Sequence, residues 1–154
     1  MEKIIFLDCD GVISTYKAGW HLDPEKLELL ERILNATGAK IVVSSSWRSH
    51  TLEETLEGNF KDFPFKDKVI GVTPRLQLPF SQGDWNYDTP ERGLEISAYL
   101  NSLGKEVRYV ILDDDDDFLY AQKDHIVRTD SYRGISAKNV VEAINILNEA
   151  NEIF

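Results

Sequence analysis

Ile4-Ile5-Phe6-Leu7-Asp8-Cys9-Asp10-Gly11-Val12-Ile13 is the stretch on which the reading of this chain turns. An apolar run ends abruptly in two aspartates one residue apart, and a glycine follows. A run this short and this rich in β-forming residues predicts a buried strand. The aspartates then lie at its carboxyl end, where open α/β sheets bind their ligands. Two carboxylates at a glycine turn suit a hard divalent cation and a phosphorylated ligand. Asp8 could also attack phosphorus as a nucleophile. Strand alternation turns Cys9 to the opposite face, where it packs as a small apolar residue.

Outward from this strand, helical and extended patterns alternate. Asp23-Pro24 reads as an N-cap and first helical residue. Leu27, Leu30, Ile33 and Leu34 follow at helical spacing until Gly38. Ala39–Ser44 reads as a second strand, and Thr51–Glu57 as a short helix. Residues 59–89 carry Pro64, Pro74, Pro79 and the aromatics Phe60, Phe63, Phe65, Phe80, Trp85 and Tyr87. Short strands such as Val69–Val72 are expected there, and so long an irregular segment is more often functional than idle. Thr89-Pro90 opens a further helix with Leu94, Ile96, Tyr99, Leu100 and Leu103 on its apolar face. Val107–Leu112 and His125–Arg128 read as strands, and Ser136 caps a last helix striped by Val140, Val141, Ile144 and Leu147. Such alternation predicts a parallel sheet covered on both faces.

A chain of 154 residues is expected to form one domain over 1–154 with a real core. The net charge of −10 disfavours broad nucleic-acid binding through neutralised phosphates, without forbidding a local basic cleft. No apolar stretch approaches the roughly 18 residues that span a bilayer. No secretory signal is expected ahead of the first strand. The single Cys9 excludes an internal disulfide framework and fits a cytoplasmic setting. His21, His50 and His125 lack metal-ligand spacing.

Three further places have the character of the opening one. In Ile41-Val42-Val43-Ser44-Ser45-Ser46-Trp47-Arg48 an apolar strand ends in hydroxyls. Arg92 stands just inside the helix after Thr89-Pro90-Glu91. In Tyr109-Val110-Ile111-Leu112-Asp113-Asp114-Asp115-Asp116-Asp117 a buried strand again ends in carboxylates. Five consecutive aspartates repel one another strongly unless a cation joins them. Asp115 to Asp117 are expected in a solvated turn and helix start, where carboxylates favour the helix dipole.

Taken in order, these four elements resemble the haloacid dehalogenase-like (HAD) phosphohydrolases over nearly the whole chain. The resemblance implies a three-layer, Rossmann-like α/β sandwich with a central, mainly parallel sheet and a minimal or absent cap. It implies a Mg2+-dependent phosphoric monoester hydrolase that works through an aspartyl-phosphate. Asp8 would be the nucleophile and Asp10 the general acid and base. Ser45 and Arg92 would hold the phosphoryl oxygens. The register among Ser44, Ser45 and Ser46 stays open: relatives with an S-x-W pattern favour Ser45, and Ser44 is the next choice. Magnesium would sit among Asp8, the backbone carbonyl of Asp10, and Asp113 or Asp114. Arg48 could add a bidentate phosphate contact, and Trp47, with Trp85, could stack a base. The intervals between the motifs leave no room for a large cap, so a bulky phosphoester could enter. The S-x-W-R turn is also similar to phosphatase domains of nucleic-acid repair proteins. The implied partner is therefore a phosphorylated small molecule or nucleic-acid end, with no membrane and no obligate protein partner. The alternative is a catalytically silent metal- and phosphate-binding module of the same fold.

Overall fold

The computed structural model describes residues 1–76 and 90–148. The expectations placed on Pro79, Phe80, Trp85, Tyr87 and Thr89 fall outside the described residues.

The described chain runs β1 (Lys3–Leu7), β2 (Ser14–Thr15), β3 (His21–Leu22), α1 (Pro24–Thr37), β4 (Lys40–Val43), α2 (Leu52–Glu57), β5 (Val69–Val72), α3 (Glu91–Leu103), β6 (Arg108–Asp113), β7 (Ile126–Arg128) and α4 (Ala137–Asn148). Single 3-10 turns at Lys66–Lys68 and Tyr120–His125 lead into β5 and β7. Five strands form one parallel sheet in the order β5-β4-β1-β6-β7. This is the α/β, Rossmann-like sandwich that the alternating pattern predicts. Helices cover both faces because each strand, buried on both sides, must shed water on both.

Alternation along β1 sorts the core. Ile5 and Leu7, with Ile41, Val43, Val110 and Leu112, face α1 and α4, where Leu30, Ile33, Leu34, Ala143 and Leu147 cover them. Ile4 and Phe6, with Val42 and Ile111, face α3 through Ile96, Tyr99, Leu100 and Leu103. Each large apolar side chain buried in this way contributes about 1.5–3 kcal/mol. Phe6 meets Tyr99 and Tyr109 edge-on, at 5.9 and 5.8 Å.

Local signals set the helix ends. The Asp23 carboxylate accepts from the Glu25 N–H at 3.1 Å, Pro24 stands at the first helical position, and Gly38 closes α1 in the left-handed region. Thr51 caps α2. α3 departs from expectation: Pro90 itself occupies the capping position and offers no side-chain bond. The β2–β3 hairpin was not legible in the sequence, because two-residue strands carry no periodicity. It is all that stands between β1 and α1 apart from short turns, so no large cap is inserted there. No described helix is long and apolar enough to cross a membrane.

The register positions the site. Leu7 pairs with Val43 on one side and with Leu112 on the other. The next residue of each strand, Asp8, Ser44 and Asp113, is therefore level with the other two. The ladder continues through them: the Asp8 N–H donates to Leu112 O, and the Ser44 N–H to Leu7 O. After β5 the chain crosses back over β1 to β6. The sheet order thus reverses beside β1, which is the switch point at which such sheets bind ligands.

Candidate active site

Asp8, Ser44 and Asp113 follow Leu7, Val43 and Leu112, which face α1 and α4. Alternation therefore turns all three toward the α3 face. Arg92, in the first turn of α3, meets them there. Its Nη1 lies 3.2 Å from Asp8 Oδ1 and 2.7 Å from Asp113 Oδ2. Carboxylate oxygens of Asp8, Asp113 and Asp114 all lie within 4.8 Å of one another. Asp8 and Asp113 are buried, and Asp114 is half-buried.

Three carboxylates around one guanidinium leave negative charge uncompensated. Burial, followed by repulsion from Asp113, pushes the Asp8 carboxyl up to about 8, against the pull of Arg92. Burial raises Asp113 as well, and Arg92 opposes it. Burial works against the Arg92 charge too, but Asp113 and Asp8 outweigh it and hold the guanidinium firmly protonated. Close oxygen donors, with Asp8 and Asp113 both resisting ionisation, form a donor set that fits a hard divalent cation.

Gly11 makes this approach possible. Its φ is +83°, and a Cβ there would run into the Asp114 carboxylate. The Thr129 hydroxyl donates to Gly11 O and fixes the turn.

The structure also separates residues that the sequence grouped together. Asp10 is exposed and stands outside the carboxylate cluster, its backbone paired with Ser14. Ser45 is buried on the Cys9 side of the sheet, and its Oγ accepts from the Trp47 N–H at 3.1 Å. The Ser44 hydroxyl is buried and lacks a partner among the described residues. Strand alternation thus places the Ser44 hydroxyl, rather than that of Ser45, on the face of Asp8. Cys9 is inert, since burial pushes its thiol well up.

Arg48 is engaged within the protein. It is buried, and its guanidinium donates to Thr73 O at 2.9 Å and Ser45 O at 2.7 Å and pairs with Glu95 at 3.0 Å. A fork so occupied has no bidentate face left for phosphate. Burial lowers its pKa, against the opposing field of Glu95. Trp47 is half-buried against the core. It packs edge-on against Phe60 at 6.1 Å, and Phe60, Phe63 and Phe65 continue a small aromatic core.

The aspartate run divides its labour. Asp113 and Asp114 belong to the cluster. Asp117 does not start a helix of its own but serves α3: its Oδ2 accepts from the Arg92 N–H at 3.2 Å and its backbone O from the Gly93 N–H at 3.0 Å. This supplies the cap that Pro90 cannot provide and ties the acidic loop to the helix that carries Arg92. Arg128 braces the same loop, its Nε donating to Asp114 O at 3.2 Å. Arg75 donates to Arg48 O at 2.7 Å. With Ser46, Arg48, Glu91, Arg92 and Glu95 it lines a cleft of about 170 Å³. Arg128, Glu95 and Arg75 had no motif to betray them. Lys105, just beyond the end of α3, pairs with Glu2 at 3.1 Å.

No curated protein and no solved structure matches the chain significantly. One family model does, that of the HAD domain in Swiss Army Knife RNA repair proteins, over residues 4–140. That span holds every strand and both acidic turns described above, and the chain belongs to this family of HAD domains in Swiss Army Knife RNA repair proteins.

Proposed function

We propose that this chain is a magnesium-dependent phosphomonoesterase that removes a terminal phosphate from RNA through an aspartyl-phosphate on Asp8. The observation that carries the reading is the convergence of Asp8, Asp113 and Asp114 around Arg92 at the switch point of the sheet. The RNA end as substrate is supported by the family's description, and by the small hairpin that leaves the approach over β1 free of a large cap.

An Asp8 carboxylate oxygen forms the new bond to phosphorus as the bond to the leaving oxygen breaks. Asp10, exposed at the mouth and able to exchange protons, gives its proton to that oxygen. It then takes a proton from a water whose oxygen bonds to phosphorus, and Asp8 and inorganic phosphate part. Arg92 and the Ser44 hydroxyl hold the phosphoryl oxygens as charge builds on them. Mg2+, held by Asp8, Asp113 and Asp114 when bound, supplies the positive charge that keeps Asp8 ionised beside an anionic substrate.

The test is phosphate release from an aryl phosphate and from short oligoribonucleotides bearing a terminal phosphate, with and without Mg2+. Release is expected only with Mg2+. It is expected to vanish in Asp8→Asn and to fall by about 10²- to 10⁴-fold in Asp10→Asn. Turnover that survives in Asp8→Asn, or no turnover of any phosphomonoester by the unmodified protein, overturns the reading.

A further inference from the structure

Three aromatic rings project from the same end of the molecule as the carboxylate cluster. Tyr16 and Trp20 lie in the turn of the β2–β3 hairpin, and Tyr132 lies in the turn after β7. Tyr16 and Tyr132 are each 68% exposed, and Trp20 is 43% exposed. Tyr16 meets Trp20 edge-on at 6.5 Å and Tyr132 edge-on at 6.0 Å. Edge-on packing of this kind leaves ring faces uncovered.

The two turns are fixed to each other. The Ile135 N–H donates to Val12 O, and Gly134 approaches Val12 and Thr15 too closely to admit a Cβ. The Tyr132 and Arg133 N–H groups both donate to the Asp130 carboxylate at 2.9 Å. Trp20 is the only described non-glycine residue with positive φ, at +60°. A bulky side chain in that region is strained, and strain of this kind collects at functional sites. Here the strained residue helps to display an indole that contributes nothing to the core.

Beside the rings is a cavity of about 320 Å³, lined in part by Tyr16, Lys17, Lys26, Tyr132 and Arg133. Its two carboxylates are already engaged. Asp23 caps α1 and accepts from the Thr15 hydroxyl at 2.7 Å, and Glu25 pairs with Lys17 at 3.5 Å. Lys26 and Arg133 remain as the rim's cations, in a chain whose net charge is −10. Tyr16 is six residues beyond Asp10, so no more than about 20 Å of chain separates them.

We propose that Tyr16, Trp20 and Tyr132 form a stacking surface for the unpaired bases of a single-stranded RNA end, with Lys26 and Arg133 meeting its backbone. The proposal rests on the RNA-end reading of the neighbouring site. Exposed ring faces flanked by cations are what sequence-tolerant binding of single strands requires. The acidic remainder of the surface disfavours binding anywhere else.

The test is binding of a fluorescently labelled single-stranded oligoribonucleotide, with and without a terminal phosphate, to Asp8→Asn protein, which should hold the end without consuming it. In that background, Tyr16→Leu with Tyr132→Leu should weaken binding of both oligonucleotides about tenfold or more, whereas Tyr16→Phe with Tyr132→Phe should stay within about twofold of the parent. The Phe pair keeps the rings and so separates stacking from misfolding or loss of apolar area. In protein with Asp8 intact, the Leu pair should lower kcat/KM for the oligonucleotide relative to that for an aryl phosphate. Equal binding by the Leu pair, or no binding by the parent, overturns the stacking surface. If the unmodified protein turns over aryl phosphate in either case, the phosphatase reading stands without it. If no phosphomonoester is hydrolysed but binding still depends on the rings, the surface stands and the phosphatase reading falls.

Discussion

Asp8 sits where its own charge is opposed. Burial and Asp113 raise its carboxyl to about 8, and Arg92, the single cation in contact among the described residues, is shared with Asp113. A raised native pKa means that the folded protein holds the proton more tightly than the unfolded chain does. This contribution to stability is fully present below the ordinary carboxylate range. It is lost as pH rises from about 4 toward 8. Metal-free protein should therefore lose stability over that window, and Asp8→Asn, which cannot ionise, should lose less. At pH 8 to 9 the variant should melt above the unmodified protein, by about 2–4 °C for each kcal/mol of repulsion relieved. Thermal melts across pH in a chelator check this. An Asp8→Asn protein that melts lower at pH 9 than the unmodified one would show that Asp8 carries no such penalty. Added Mg2+ should stabilise the unmodified protein more than the variant, because it binds only the folded cluster.

The strand is the element that decides which serine is functional. β4 enters its turn with Val43 on the α1/α4 face, so Ser44 falls on the face of Asp8 and Ser45 on that of Cys9. Ser44→Ala removes a buried hydroxyl that lacks a partner among the described residues, so it should leave stability nearly unchanged. It should lower kcat/KM for a phosphomonoester by about tenfold to a hundredfold, the scale of one lost hydrogen bond to a charged group. Ser45→Ala should do the reverse. It removes the acceptor of the Trp47 N–H, costing about 1 kcal/mol of stability with a smaller effect on turnover. Steady-state kinetics and urea unfolding of both variants separate the two assignments, and the opposite ranking would return the role to Ser45.

Across the whole molecule, the site depends on α3 being held against the sheet, and two connections do this. Asp117 joins the helix start to the loop after β6. The Arg48–Glu95 pair joins the helix to the turn after β4, and Glu95 also accepts from the Leu76 N–H at 3.2 Å. The Glu95 and Arg48 side chains are only 11% and 5% exposed, so water screens the pair little. Glu95→Ala leaves a guanidinium buried without its counter-charge and should cost about 3 kcal/mol, toward the lower end for a broken buried pair because Arg48 keeps its carbonyl partners. Denaturant titration reads this directly. A loss below about 1 kcal/mol would place the pair with ordinary surface bridges.

The sequence by itself determined the strands, because buried parallel strands are short, nearly continuous apolar runs and each ends at an abrupt change of chemistry. It also placed Asp8, Asp113, Asp114 and Arg92 at element ends, where open sheets bind ligands. Only the tertiary structure decided which neighbours share a face and which polar groups are already satisfied. That tied Arg48 to Glu95 and Trp47 to Phe60, set Ser45 on the side of Cys9, and gave Asp117 to a helix that precedes it in the chain. It also brought Tyr132 beside Tyr16, although more than a hundred residues separate them. The physical reason is range. Hydrophobic periodicity is a local property that a window of sequence contains. Hydrogen-bond satisfaction and the meeting of loops are set by long-range pairing, which no window of sequence contains.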